Sequence, residues 1–398
     1  MYQIDNYNFD SKKVLIRVDF NVPLNDNLEV TDTTRIKAAI PTIKKVLNDN
    51  GSVILMSHLG RPKGEYKEQF SIKNIIPAVE KELGVKIKFA GDKEVVTENV
   101  KKLAESLSAG EVMILENLRF NKGETKGDKD FAQELASLGN AYIMDAFGTA
   151  HREHASTATI AQFFPNDKMF GYLVEKELES IDKALKEGEK PFTAIIGGSK
   201  VSTKISIIEA LLNKVDNLII GGGIAFTITK ALGGKIGDSL VENDFIDTAL
   251  RIVEMAKEKN VNLYIPTDSI AANKFDNDAE IIHVSADNIP DGYMGLDIGI
   301  KSGNKFTEVI ENSSTIIWNG PIGVFEMPSY ETGSMRIALA IAKATSKGAY
   351  SIIGGGDSVA AINKFNLADK VSYISTAGGA LLEYIEGKEL PGIKAIKG

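Results

Sequence analysis

The sequence predicts an α/β protein of two doubly wound, Rossmann-like domains, each built on a parallel sheet. Three observations predict it. The chain has 398 residues, enough for two full cores at ordinary domain size. Ten short apolar runs alternate with longer amphipathic stretches, the pattern of βαβ units rather than of separate α and β blocks. The residues just after those runs divide into two chemistries, arginine and histidine in the first half and glycine in the second. In open α/β sheets ligands bind beyond the carboxyl ends of the strands, so those residues mark the sites.

In chain order, the first-half strands are expected at VLIRVDF (14–20), SVILMS (52–57), EVMILE (111–116) and AYIMDAF (141–147). SIKNIIPAVEKELG and DFAQELASLG carry helical patterns between them. FFPNDKMFGYLVEKELESIDKALKEGEKP then reads as a loop and a long charged helix, 173–188, joining the two domains. Second-half strands are expected at FTAIIG (192–197), NLIIG (217–221), NLYIP (262–266), STIIWN (314–319), YSIIG (350–354) and VSYIS (371–375).

Bulk properties narrow the function classes. Hydrophobic residues make up 43% and charged residues 25% of the chain, ordinary for soluble globular material. Net charge is −8 with no block of like charge. Nucleic acid is therefore excluded as a main partner, since backbone phosphates need a basic face. Any anion site must carry its positive charge locally. Cysteine is absent, which removes disulfides, thiolate metal sites and cysteine nucleophiles and fits a reducing compartment. MYQIDNYNFDSKK has no apolar signal core, and no stretch reaches the roughly 18 apolar residues of a membrane span. The expectation is a cytoplasmic enzyme with no membrane partner.

Only seven of the 46 basic residues are arginine: Arg17, Arg35, Arg61, Arg119, Arg152, Arg251 and Arg336. Arg61, Arg119 and Arg152 come directly after strand ends, in SHLGR (57–61), ENLR (116–119) and DAFGTAHR (145–152). Arginine grips carboxylate or phosphate bidentately, as lysine cannot, so the three point to a pocket for a small polyanion. Arg17 lies within a strand, where a structural ion pair is expected. His151 and His154 lack a third ligand for zinc, and no G-x-S-x-G supplies a triad nucleophile. The stretch reads as an anion pocket: Gly148 admits close backbone approach, Arg152 supplies charge, and His154 is a hydrogen-bonded structural residue.

The second-half strands end in GGSK (197–200), GGGIAF (221–226), NGPIGVFE (319–326), GGGDS (354–358) and STAGG (375–379). None is a Walker A loop or a complete G-x-G-x-x-G. Glycines at a helix N-terminus let backbone N–H groups and the helix dipole meet a phosphate. Lys200 and Lys204, four apart, are expected on one face of the helix opened by GGSK. Asp357 suits Mg²⁺, which takes one or two protein carboxylates beside a nucleotide's phosphates; its plainer reading is a helix N-cap. A polyanion site in one half and a nucleotide–Mg²⁺ site in the other imply phosphoryl transfer, a chemistry of positioning and charge neutralisation.

RVDFNVP, TRI, SHLGRPKG, ENLRF, DAFGTAHR, GGSKVSTKI, WNGPIGVFE, GGGDS and LEYIEGKELPGI, in this order across about residues 14–393, closely resemble the phosphoglycerate kinase family. The resemblance implies two domains facing each other across a hinged cleft. Residues 1–170 would bind phosphoglycerate and 171–379 the nucleotide, and a C-terminal segment, about 380–398, would pack back onto the first domain. It implies a hinge-bending monomer that transfers a phosphoryl group reversibly from 1,3-bisphosphoglycerate to ADP, giving 3-phosphoglycerate and ATP, with Mg²⁺. Carried over residue by residue, Asp19 and Asn21 would contact the glycerate. Arg35, His58, Arg61, Arg119 and Arg152 would form the basic site, with Arg35 nearest the transferring group and Gly148 admitting the backbone.

In the other half, Lys200 would stabilise the phosphoryl group in flight and Lys204 would hold nucleotide phosphate. Asn319 and Glu326 would line the nucleotide, Glu326 at the ribose, with Gly197, Gly222, Leu296 and Pro321 completing its site. Gly355, Gly356, Asp357 and Ser358 would form the phosphate and metal loop, and Thr376, Gly378 and Gly379 would open a helix toward the transferring group. Ser199 and Thr203 depart from the family's usual GGAKV and DKI, which implies tuning only. Ala377 stands where a third glycine is usual, which matters if that position needs a positive φ. Two other readings stay open: a kinase for a different acyl phosphate or carboxylate, and a non-catalytic nucleotide-binding scaffold.

Overall fold

A computed structural model describes residues 3–398. The fold divides into two compact units, Met1–Leu178 with Glu389–Gly398, and Glu179–Lys388. The chain passes from the first to the second within one helix, Tyr172–Lys186. That helix carries Glu175 in its first turn and Lys183 and Lys186 in its last, an arrangement that suits the macrodipole.

The first unit holds strands β1 (Lys13–Val18), β2 (Ser52–Met56), β3 (Ile87–Ala90), β4 (Val112–Leu115), β5 (Ala141–Asp145) and β6 (Lys168–Phe170). Their order is β3-β4-β2-β1-β5-β6, every pair parallel. The central strands are buried along almost their whole length, which is why they read as continuous apolar runs. Helix Thr34–Asn48 covers one face by burying Ile36, Ala39, Thr42, Ile43 and Val46, a stripe at helical period. It joins Val14, Ile16, Val53 and Leu55 in one core. The C-terminal helix Pro391–Lys397 also belongs to this unit: Gly392 N–H donates to Ala150 O at 2.8 Å, and Lys168 Nζ to Ala395 O at 2.7 Å.

The second unit holds β7 (Phe192–Ile196), β8 (Asn217–Ile220), β9 (Lys235–Ile236), β10 (Asn262–Tyr264), β11 (Asp268–Ala272), β12 (Ile281–Ser285), β13 (Asn288–Ile289), β14 (Met294–Ile298), β15 (Thr315–Asn319), β16 (Tyr350–Gly354) and β17 (Tyr373–Ile374). A six-stranded parallel sheet has the order β10-β8-β7-β15-β16-β17. In both large sheets the order reverses direction once, at β1/β5 and at β7/β15. Such switch points open the crevices where ligands bind.

All ten expected strands are strands. The all-parallel expectation needs one correction: β12-β11-β14 form an antiparallel sheet. Its strands escaped notice because β12 is mostly half-buried or exposed and β14 is interrupted by Gly295, so neither shows a strong apolar run. β3 and β6 were missed as short, partly buried edge strands. Among the described residues no helix is long and apolar enough to cross a membrane.

Candidate active site

In the first unit the switch point brings the loops after β1 and β5 together. Gly148 lies so close to Asp19 that a Cβ there would stand 2.6 Å from Asp19 Oδ2. Asp19 in turn pairs with Arg35, Nη1 to Oδ2 at 3.1 Å, and the same nitrogen donates to Asn21 O at 3.0 Å. Asn21 Oδ1 accepts from Gly60 N at 2.8 Å, and Arg119 Nη1 donates to Gly60 O at 2.8 Å. Gly60 has φ +62°, a turn that glycine accommodates without strain. It thereby ties the β1, β2 and β4 loops into one floor. Arg119 is buried, and its Nε has no hydrogen-bond partner among the described residues.

His58 sits in this floor, 4% exposed, with Nδ1 3.9 Å from Asp19 Oδ1. Burial, with the guanidiniums of Arg17, Arg119, Arg152 and Arg35, holds its imidazole well below the ordinary histidine value. His58 is therefore neutral at physiological pH. Arg17 Nη2 lies 3.3 Å from His58 Nδ1. Because arginine only donates, Nδ1 accepts, and the proton resides on Nε2. Burial and the neighbouring Arg152 and Arg17 likewise bring Arg119 down to about 10, so it stays charged at neutral pH.

Arg17 corrects an expectation. It is fully buried but, among the described residues, reaches no carboxylate directly: Nε donates to Ser156 Oγ at 2.8 Å, and that hydroxyl donates to buried Glu124 at 2.6 Å. Its charge is met through a hydroxyl rather than by an ion pair. His154 is buried as a structural residue, yet its Nδ1 lies 3.7 Å from Glu124 and makes no hydrogen bond among the described residues. Burial and the surrounding arginines lower it to about 3. Arg152 is half-buried, its Nε 3.2 Å from His151 Nε2. Arg61 is exposed on the same β2 loop, apart from these contacts.

In the second unit the β7 and β15 loops are joined backbone to backbone. Gly197 N–H donates to Asn319 O at 3.0 Å and Gly198 N–H to Pro321 O at 3.1 Å. A Cβ on Gly197 would stand 2.0 Å from Pro321 O. Gly222, with φ +64°, also passes close to Gly198, where an added Cβ would stand 2.6 Å from Gly198 O. Lys204 Nζ donates to Asn319 Oδ1, and Asn319 Nδ2 to Gly354 O at 2.8 Å. Burial lowers the Lys204 ammonium, while Asp357 nearby opposes that shift. Asp357 is exposed in the first turn of helix Gly356–Lys364, whose N-cap is Gly355; the N-cap reading of Asp357 is therefore wrong. Ser358 is fully buried, and its Oγ accepts from Gly320 N at 2.5 Å.

The lysine geometry also needs correction. Val201–Thr203 is a single 3₁₀ turn, the α-helix begins only at Ile205, and Lys200 has extended backbone. The four-residue spacing therefore does not place Lys200 and Lys204 on one helix face. Lys200 is exposed and acts electrostatically on Glu242. Ala377 has no positive φ and is buried, its N–H donating to Ser375 Oγ at 3.2 Å. The third glycine's conformational freedom is not needed there. Gly378 caps the short helix Gly379–Ile385, and a Cβ on it would meet nothing within 4 Å. Thr376 is half-buried beside it.

A cavity of about 600 Å³ lies in this unit. Gly222, Leu296, Pro321, Glu326 and Asp357 line it, as the resemblance implied. Phe226, Asp238, Leu240, Phe275, Met294 and Asp297 line it too, and the sequence reading missed all six. Phe275, Met294 and Asp297 come from the antiparallel sheet and its connections, which the strand pattern did not reveal. For Asp297 a signal existed: it is the one charged residue within the strand MGLDI. Burial pushes its carboxyl up to about 7, against the pull of two backbone N–H donors and Arg336.

Comparison with known proteins agrees with this geometry. Residues 4–388 match the family model described as phosphoglycerate kinase. The chain is 53% identical to "Phosphoglycerate kinase" of Porphyromonas gingivalis, covering 99% of this chain and 100% of that protein. It is 51% identical to "Phosphoglycerate kinase 3, cytosolic" of Arabidopsis thaliana, covering 97% and 95%. Among solved structures, the phosphoglycerate kinase of Coxiella burnetii superposes with a TM-score of 0.87 at 41% identity, over 99% of this chain and 98% of the other.

Proposed function

The chain belongs to the phosphoglycerate kinase family, and from that premise we propose how its residues divide the work of the family's reaction. The enzyme transfers a phosphoryl group between 1,3-bisphosphoglycerate and ADP, giving 3-phosphoglycerate and ATP, reversibly. The observation that carries the division is the polarity of the two switch points. In the first unit several arginines surround a neutral histidine, and in the second, glycine loops and a lysine–asparagine pair adjoin a large cavity.

The phosphoglycerate binds over the β1, β2, β4 and β5 loops. Arg35, Arg61, Arg119 and Arg152 take its charged oxygens, and the free Nε of Arg119 is a donor waiting for one. His58 offers its Nε2–H as a neutral donor, while Asp19 and Asn21 orient the glycerate. The nucleotide occupies the cavity: Glu326 at the ribose, Lys204 with Asn319 at the phosphates, and Gly197, Gly222, Leu296 and Pro321 as walls. In ATP formation a β-phosphate oxygen of ADP attacks the acyl phosphate. The bond from phosphorus to the carboxyl oxygen breaks, and the carboxylate of 3-phosphoglycerate leaves. Both oxygens are anionic outside the transition state, so no general base is needed and catalysis rests on positioning and charge. Arg35 and Lys200 supply that charge at the moving group, with the N–H groups at Gly378 and Gly379.

ADP and ATP generally act with Mg²⁺. Among the described residues no group of three or more acidic or histidine side chains is placed to hold a metal. Of the exposed carboxylates at the cavity, Asp238, Glu326 and Asp357, Asp357 alone lies in the first turn of a helix that opens on glycines, a donor that suits Mg²⁺ carried by a nucleotide. Asp357 would hold it, and the ion, when bound, supplies charge neutralisation at the phosphates. Gly355 and Gly356 leave backbone N–H groups open beside it, and Ser358 braces the loop from behind.

The reading takes the protein as a cytoplasmic monomer. The similar Arabidopsis protein is described as cytosolic. A coupled assay of ATP formation from 1,3-bisphosphoglycerate and ADP tests the reaction. Acetyl phosphate in its place separates a kinase for another acid, and no ATP from either substrate would leave only a nucleotide-binding scaffold.

A further inference from the structure

One wall of the cavity is built on a single buried carboxylate. Asp297 lies on β14, 3% exposed. Its Oδ2 accepts from Gly333 N at 2.7 Å and its Oδ1 from Ile298 N at 2.8 Å. Oδ1 lies so near Gly323 and Gly333 that a Cβ on either would stand 2.1 Å away. Nearby contacts hold the same segment. Val324 N–H donates to Leu296 O at 2.9 Å. Ile322 and Gly323 N–H donate to Ser334 Oγ at 3.1 and 3.2 Å. Ser334 is fully buried in the first turn of helix Thr332–Ser346. The segment so held, Pro321 to Glu326, lines the cavity beside Asp297 itself.

Packing alone does not call for this residue. A buried charge costs desolvation that an apolar side chain would avoid. An acceptor at both oxygens is what the two facing N–H groups require, and negative charge at the start of a helix is favourable. We propose that Asp297 is a positioning residue for the nucleotide: its carboxylate ties β14 to the start of helix Thr332–Ser346 through Gly333 N–H and packs against Gly323, so that the Pro321–Glu326 wall, itself bonded to Leu296 and Ser334, meets the nucleotide in one conformation. The proposal rests on the reading of this cavity as the nucleotide site. Asparagine at 297 would turn an NH₂ group against the N–H of Ile298 or of Gly333, leaving that donor unpaired and loosening the frame of β14 and helix Thr332–Ser346 that holds the loop.

Isothermal titration of the full chain with ADP, and separately with 3-phosphoglycerate, tests it on wild type, Asp297→Asn and Ser334→Ala. Asp297→Asn should weaken ADP by about tenfold, the scale of one buried donor left unpaired. Ser334→Ala should weaken it in the same direction, and neither should move the Kd for 3-phosphoglycerate or the stoichiometry. A merely structural role would lower the stoichiometry and Tm with the ADP Kd unchanged, which overturns the proposal. Equal weakening of both ligands also overturns it. Wild type that fails to bind ADP overturns the nucleotide reading and the proposal together. Tight wild-type binding with unaltered Asp297→Asn overturns the proposal alone.

Discussion

Lys200 and His58 show how one side chain's surroundings assign its work. Lys200 is exposed and on extended backbone, whereas Lys204 is half-buried and already bonded to Asn319. The free lysine is the one available to track a moving group, and the bound one suits a resting phosphate. Lys200→Ala should therefore lower kcat far more than it raises either KM, by roughly 2.7–4 kcal/mol of barrier. A raised nucleotide KM with normal kcat would make it a binding residue instead. His58 carries a different consequence. Its imidazole is held well below the ordinary value by burial and by arginines, while in the unfolded chain it titrates near about 6.5. Below that pH the unfolded state binds the extra proton, so stability is fully present above it and is lost as pH falls. The loss attributable to His58 is at most about 1.4 kcal/mol per pH unit. Urea unfolding of His58→Gln at several pH values should show a shallower decline than wild type between about pH 6.5 and 5. Parallel curves would mean that His58 is protonated in the folded protein.

At the scale of elements, the switch points are set by backbone proximity as much as by side chains. Gly197 leaves the end of β7 against the carbonyls of Gly320 and Pro321, and an added Cβ would stand 2.0 Å from the latter. Backbone cannot yield as the tip of a side chain can. Gly197→Ala should cost about 1–3 kcal/mol by overpacking and displace the very loop that lines the cavity. A lowered Tm together with weakened ADP binding, and unchanged binding of 3-phosphoglycerate, is the expected pattern. An unaltered Tm would show that the two loops are not rigidly joined. The strand-end motifs were legible because parallel strands covered on both faces must be apolar, so polar residues and glycines at their carboxyl ends stand out against them. The antiparallel sheet was not legible, since β11 is mostly of small and polar residues, β12 is partly exposed and β14 is interrupted by glycine. With it went Phe275, Met294 and Asp297 at the cavity.

For the whole molecule, the reaction sets a demand that neither unit meets alone. Each ligand must enter from solvent, yet transfer needs reacting atoms about 3–3.5 Å apart with little water between them. Closure of a hinged cleft on binding both ligands, as the family resemblance implies, would satisfy both demands. Small-angle scattering should give a smaller radius of gyration with 3-phosphoglycerate, a non-hydrolysable ATP analogue and Mg²⁺ together than with no ligand. Either ligand alone should produce part of that change at most. One radius in all four states would leave the assignment without a route to reaction.

By itself the sequence determined the class of fold, ten of the strands and the family. It also determined which strand ends carry arginine and which carry glycine. These are local properties: burial on both faces writes a period and a composition, and anion recognition demands particular side chains or none. Only the tertiary structure decided how those residues are used. It replaced the helical spacing of Lys200 and Lys204 with a 3₁₀ turn, met the charge of Arg17 through Ser156, and left Ala377 without need of a left-handed backbone. It also placed Asp297 between two glycines distant in sequence from it. Such roles depend on which segments lie opposite one another, and no window along the chain encodes that, because the partners come from other strands and loops.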